Sequence, residues 1–177
     1  IEDVKNLRSE VGILYFSNFN EKVLKKFLKE RHLVFTPLFT ALPHVFISIN
    51  HPLAGHDSVS LDELDDYPFL AFEQGEYNSL YFSEELLSAV PHKKTIHVSD
   101  RATLFNLLIG LNGYTVCSGI LSRDLNGDNI ISVRLKTDEK MVIGYITNEK
   151  SRLSHMAKDY IAELKRLVSE YGFELMS

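Results

Sequence analysis

Residues 45–72, VFISINHPLAGHDSVSLDELDDYPFLAF, set out a fixed order of local structures, and that order limits what the chain can fold into. A β-rich run from Val45 to Ile49 meets Asn50-His51-Pro52, where proline removes a backbone donor and holds the residue before it extended. Leu53-Ala54 returns an apolar pair to the core before Gly55-His56-Asp57 turns the chain. Ser60-Leu61-Asp62-Glu63 is a capping box, a serine N-cap with glutamate three residues on, so a short helix starts there. Tyr67-Pro68 ends that helix, and Phe69 to Phe72 reads as a second buried strand.

The flanking sequence alternates in the same way. Ile1 to Ser9 has the spacing of a helix tail with Val4 and Leu7 on one side, and Val11 to Phe16 is a continuous apolar run, as in a strand covered on both faces. A helix follows the turn at residues 17–20, with Val23, Leu24, Phe27 and Leu28 inward. Leu33 to Leu38 is a strand that Pro37 pushes toward an edge or a crossover. Glu73 to Asn78 is a polar turn around Gly75, Ser79 to Val90 reads as a helix, and Thr95 to Val98 as a strand. Ser99-Asp100 caps the apolar helix Ala102 to Leu111, with Gly113 at the left-handed position after it. Tyr114 to Cys117, Ile130 to Leu135 and Met141 to Thr147 are strands, with a turn at residues 126–129. The spacing places a final helix after Ser151 as cap, its apolar face Leu153, Met156, Tyr160, Leu164, Leu167 and Tyr171. Such alternation predicts an α/β architecture with mainly parallel sheets.

Charge and composition exclude several functions. A net charge of −5, with no basic cluster larger than pairs such as Lys25-Lys26 and Lys93-Lys94, argues against this piece gripping nucleic acid by itself. No run approaches the roughly 18–20 apolar residues a spanning helix needs, so no membrane partner is expected. One cysteine rules out an internal disulfide and fits a reducing, cytoplasmic setting. The seven histidines never fall at helical ligand spacing, so neither a metal nor any cofactor is expected. No G-x-S-x-G elbow surrounds any serine, and Gly110 to Gly113 lacks the spacing and lysine of a phosphate loop.

The ordered string from the strand at Val45, through His51-Pro52-Leu53-Ala54 and the Leu61/Leu64 helix, to Tyr67-Pro68-Phe69 resembles the effector-binding domain of LysR-type transcriptional regulators. That resemblance spans Val4 to about Tyr171. It implies a type 2 periplasmic-binding-protein-like fold: two Rossmann-like lobes joined by two crossover strands, near Leu38–Leu42 and Leu135–Gly144. Lobe I would comprise residues 1–40 and 144–177, lobe II residues 41–143. Because the chain begins just upstream of the Val11 strand, the family's winged helix-turn-helix and the first strand-helix-strand of lobe I are expected to lie outside it, leaving lobe I truncated. DNA would be reached only through that other domain. The resemblance also implies a homodimer or higher oligomer, with Leu80, Tyr81 and Leu87 of the residue 79–90 helix facing a partner.

Three βα turns share a chemical theme, at residues 73–79, Ser99-Asp100 and Ser118-Gly119. Ligands of open parallel sheets bind beyond the carboxyl ends of the strands, where helix N-termini favour anions. The residue types alone also allow plain helix capping. The resemblance implies that Ser17, Thr40, Phe72, Glu73, Ser99, Thr103, Cys117, Ser118 and Gly119 line an interlobe cleft that takes a small-molecule effector. The hydroxyls and glycine suit a carboxylate-bearing effector, whereas Glu73 would select a cationic or zwitterionic one. Cys117 reads as a small core residue more readily than as an oxidant sensor. A periplasmic-type solute-binding protein shares the fold, and so would certain two-lobe enzymes, but no clustered acid/base set for catalysis is visible.

Overall fold

The computed structural model describes residues 1–74 and 79–176. In chain order its elements are α1 (Glu2–Lys5), β1 (Gly12–Phe16), α2 (Glu21–Glu30), β2 (Leu33–Ala41), β3 (His44–Ser48), β4 (Ser58–Val59), α3 (Leu61–Leu64), β5 (Phe69–Phe72), β6 (Thr95–Val98), α4 (Arg101–Gly110), β7 (Thr115–Cys117), α5 (Arg123–Asn126), β8 (Ile130–Leu135), β9 (Met141–Asn148) and α6 (His155–Glu170). A 3₁₀ turn covers Leu80–Phe82. The chain divides into an outer unit, Ile1–Ala41 with Lys140–Ser177, and a middle unit, Leu42–Glu139.

In the outer unit β9 lies between β1 and β2 and is antiparallel to both. The expectation of mainly parallel sheets fails here for a topological reason. β2 carries the chain out and β9 carries it back, with Ala41 opposite Met141, so the two must run in opposite directions. The register slips between Pro37 and Phe39, which accommodates the missing proline N–H. α2 buries Leu24 and Leu28, whereas Val23, expected inward, is exposed. The N-cap of α6 is Ser154, not Ser151; its hydroxyl accepts the Ala157 N–H at 3.2 Å. That helix carries two apolar stripes. It buries Ala157, Ile161 and Val168 and leaves the expected Met156, Tyr160, Leu167 and Tyr171 exposed.

The middle unit pairs its strands β4-β8-β3-β7 and β5-β6. The Leu70 N–H donates to Tyr114 O at 2.8 Å and the Tyr114 N–H to Pro68 O at 3.0 Å, an isolated parallel bridge that sets the two sheets edge to edge. β5, β6 and the start of β7 run parallel, while β3 runs against β7 and β8. α4 packs Leu104 and Leu108 onto Phe46, Leu70, Val98 and Ile130 to form the core of this unit. Both halves of the capping box form at Ser60 and Glu63. His51 is buried beside Tyr67; its Nε2 faces Asn112 O at 3.1 Å and its Nδ1 faces the Leu53 N–H at 3.0 Å. After α4 the left-handed residue is Asn112, with φ of 49°, not Gly113. Glycine is needed at 113 for space, because a Cβ there would meet the Leu70 side chain at 3.0 Å and Pro68 O at 3.2 Å.

The helix expected over residues 79–90 does not form. Leu80–Phe82 makes a single 3₁₀ turn, and Leu87 adopts a φ of 65°. Serines compete for the helix's own hydrogen bonds: Ser88 Oγ donates to Glu85 O at 2.7 Å. The Glu85 carboxylate turns inward to accept the Phe72 N–H at 2.9 Å, and this segment becomes a strap across one face of β5 and β6. Leu80 and Tyr81 are exposed on it and Leu87 is half-buried. The polar turn expected around Gly75 has residues 75–78 outside the described residues.

Candidate functional site

Three parallel strands end side by side at one edge of the middle unit. Phe72 is paired with Val98, and the Glu73 N–H reaches Val98 O at 2.9 Å. The bridge between Phe69 and Tyr114 sets β7 in register beside β5, which brings Cys117, Ser118 and Gly119 to the same edge. β3, running the other way, starts there with His44. Seven of the nine expected effector residues therefore belong to one rim: Phe72, Glu73, Ser99, Thr103, Cys117, Ser118 and Gly119. Ser17 and Thr40 belong to the outer unit.

The rim's chemistry differs from a simple anion cradle. α4 begins at Asp100, whose carboxylate accepts the Thr103 N–H at 2.8 Å and the Thr103 hydroxyl at 2.7 Å. Those two bonds, the backbone one first, hold the Asp100 carboxyl below the usual carboxylate range. The helix N-terminus thus already carries a negative charge of its own. An incoming carboxylate would meet both Asp100 and the exposed Glu73. Arg101, stacked over the Phe105 ring at 4.9 Å, supplies positive charge beside them. A ligand matched to this rim carries both signs, or donates hydrogen bonds to the acids while offering an acceptor to Arg101.

The remaining residues play more structural parts. The Cys117 thiol donates to His44 O at 3.6 Å, and burial pushes its pKa up to about 12. A thiol so placed stays protonated at neutral pH and is a poor nucleophile. Gly119 has a φ of 85°, and a Cβ on it would lie 2.6 Å from His44 Nδ1, so both backbone and space require glycine. Ser118 Oγ accepts the Ile120 N–H at 3.4 Å, a local turn bond. Phe72 turns its ring onto the core beneath α4. In the outer unit Ser17 and Asn20 exchange bonds, the Ser17 N–H donating to Asn20 Oδ1 at 2.8 Å, and Thr40 Oγ1 lies 3.7 Å from the Met176 sulfur. Ser17 is buried in that turn.

Two polar residues of the middle unit went unread in the sequence, Glu85 and His92. Burial raises the pKa of Glu85 and lowers that of His92. Leu87 O can only accept, so His92 Nε2, 3.3 Å away, carries the proton, and Nδ1 accepts from the Tyr114 hydroxyl at 2.9 Å. A helical pattern puts Glu85 outside, and nothing in its neighbours signals otherwise. Among the described residues no group of three or more His, Cys, Asp or Glu side chains could hold a metal ion, and no helix is long and apolar enough to cross a membrane.

Comparison with known proteins agrees with this geometry. The family model described as the LysR substrate binding domain matches residues 17–169. No protein of curated function matches the sequence. Among solved structures, the effector binding domain of QuiR in complex with shikimate aligns with a TM-score of 0.60 at 19% identity, over 96% of this chain and 76% of that one. HinK, a LysR family transcriptional regulator from Pseudomonas aeruginosa, aligns with a TM-score of 0.61 at 14% identity, over 95% of this chain and 55% of that one. The CcmR regulatory domain of Synechocystis PCC6803 in complex with 2-PG aligns with a TM-score of 0.59 at 15% identity, over 94% of this chain and 76% of that one. At such identities the likeness is one of fold, and the chain spans little more than half of HinK.

Proposed function

We infer function from one premise: this chain belongs to the LysR substrate binding domain family, whose two-lobe α/β fold is of the type 2 periplasmic-binding-protein kind. The chain is, on this inference, the ligand-sensing part of a LysR-type transcription regulator. The family match over residues 17–169 carries the assignment. Two fold relatives are complexes with small molecules, shikimate and 2-PG, and a role of that kind is extended here to this chain. We place the effector at the strand-tip rim, with Ser99, Ser118 and the Gly119 backbone as its polar contacts and the half-buried Phe72, packed into the core beneath, as its floor. Ser17 and Thr40, in the outer unit, are proposed as effector residues on the family resemblance alone. DNA contact and homo-oligomer formation are assigned to the regulator as a whole, and no catalytic role is assigned to this domain.

The charge pattern at the rim narrows the effector to a zwitterion or a hydroxyl-rich small acid. A thermal-shift screen of amino acids, hydroxy acids and neutral polyols tests this, since a ligand that binds the folded state raises its stability by RT ln(1 + [L]/Kd). Ser99→Ala and Ser118→Ala should each reduce the shift given by a hit. If both variants keep the full shift, the rim is not the effector site.

A further inference from the structure

The strap and one face of β5 and β6 line a partly open groove that meets the strand-tip rim only at Phe72. Phe69, Ala71, Thr95 and His97 point to the face of β5 and β6 opposite α4, because their alternate neighbours Leu70, Ile96 and Val98 are the ones in the core under that helix. Over this face the strap leaves a cavity of about 330 Å³. A dry cavity of about 150 Å³ holds benzene, and ligand sites begin at about 300 Å³. The space therefore holds one bicyclic ring system with room to spare.

The cavity is preformed. Its roof is held by the Glu85 carboxylate on the Phe72 N–H at 2.9 Å, by Leu86, buried to 2% exposure, and by His92 between Tyr114 and Leu87 O. One wall is aromatic and fixed, since the His92 and Phe69 rings stack at 4.0 Å and 18°. Ala71, Leu80, Val90 and Pro91 add apolar surface, and none of the described lining residues is Asp, Glu, Lys or Arg. The hydroxyl chemistry has a direction. Ser88 gives its proton to Glu85 O at 2.7 Å, while the single Ser83 proton is shared between Ser88 Oγ at 2.7 Å and Glu85 Oε2 at 3.2 Å. The remaining lone pair of Ser88 makes that wall an acceptor, with no proton left to donate.

We propose that this cavity binds an uncharged flat aromatic molecule bearing an N–H or O–H donor, of the indole or phenol class, as a site separate from the effector rim. A carboxylate is disfavoured because none of the described lining residues is Lys or Arg to pair with it. A donor group on the ring finds the Ser88 oxygen, and the ring itself lies against Phe69 and His92. An edge or offset contact of this kind is stabilising beyond the area it buries.

Indole is the probe, because the chain contains no tryptophan and bound indole can be excited beyond the tyrosine band without background. Titration of the intact chain should give a saturable blue shift of indole emission, with benzoate neither binding nor competing. Thr95→Phe places a ring in the cavity from an exposed strand position that tolerates aromatics, and it should weaken indole by roughly tenfold or more, as expected when the ligand's own volume is taken. Ala89→Phe, at an exposed point of the roof, serves if Thr95→Phe does not fold. Ser99→Ala, at the rim, should leave indole binding unchanged. The proposal is overturned if indole does not saturate, if benzoate displaces it, if the filling variant binds it normally, or if Ser99→Ala abolishes it. The last outcome would leave the rim standing as a site and remove only this one.

Discussion

Replacing His51 tests how the middle unit is held together. Its ring is 3% exposed and links two segments far apart in sequence. Asn112 O can only accept, so Nε2 carries a proton, and the Leu53 N–H can only donate, so Nδ1 must be bare. The native state therefore requires the neutral ring, and burial lowers its pKa below the ordinary histidine value. His51→Leu keeps most of the volume but strands one carbonyl and one amide, at about 1–3 kcal/mol for each. The expected loss at pH 7.5 is thus about 2–6 kcal/mol. His51→Asn should lose less, because its carbonyl oxygen can still accept the N–H two residues on, as in an Asx turn. The pH dependence has a definite sign. Between the folded pKa and about 6.5 the unfolded chain binds the extra proton, so wild-type stability falls as pH falls through that window, by at most about 1.4 kcal/mol per pH unit. It levels off once pH is below the folded value. Urea unfolding followed by far-UV circular dichroism, at several pH values from neutral to mildly acid, reads both effects. Both His51 variants should show a shallower acid slope, keeping what His92 and, with the opposite sign, Glu85 contribute. Curves for wild type and His51→Leu that run parallel through that window, or a neutral-pH cost under about 1 kcal/mol, would refute the reasoning, since a stranded pair should exceed that.

Gly119→Ala should destabilise the chain by about 2 kcal/mol or more, combining left-handed strain of about 1–2 kcal/mol with a Cβ placed 2.6 Å from His44 Nδ1; a thermal melt within a degree of wild type would contradict this. The Cys117 thiol should react slowly with a thiol reagent at neutral pH in the native protein and quickly in urea, because burial holds its pKa near 12; equal rates would show it exposed. Glu85→Gln keeps an acceptor for the Phe72 N–H while removing a buried charge. The raised pKa of Glu85 means its contribution is fully present below the unfolded carboxylate value and is lost as pH rises through the folded one. The glutamine variant should therefore match or exceed wild-type stability at pH 7.5 and fall behind Glu85 only in acid, as read by urea midpoints at the two ends. Glu85→Leu, which leaves that N–H unpaired, should lose about 1–3 kcal/mol.

The parts of this molecule legible in the sequence are those fixed by neighbours a few residues away. Ser60 and Glu63 form their box within one turn, and Phe69–Phe72 and Ile130–Leu135 are strands because apolar runs of that length have few alternatives. The string from Val45 to Phe69 carried the family assignment for the same reason, and the match over residues 17–169 bears it out. What the sequence hid depends on distant partners. The antiparallel outer sheet follows from Ala41 meeting Met141 across the whole middle unit. On α6 two stripes satisfy one helical period, and packing alone decides which is buried.

The strap shows the same limit at the scale of one segment. Residues 79–90 have a helical pattern, yet Ser88 takes the Glu85 carbonyl and Glu85 caps the end of β5. Each of those bonds competes with a helix bond of similar strength, about 1 kcal/mol net, so local propensity cannot decide the outcome. A buried carboxylate accepting a strand-end N–H can tip it, because leaving that N–H unpaired costs more than one helical turn contributes. The cavity follows directly: a regular helix would lay continuous side chains on Phe69 and Ala71, whereas a strap pinned at Glu85 and His92 spans them. Site and misread segment are thus one feature, and cutting the Glu85 anchor should abolish both the strap and its indole binding.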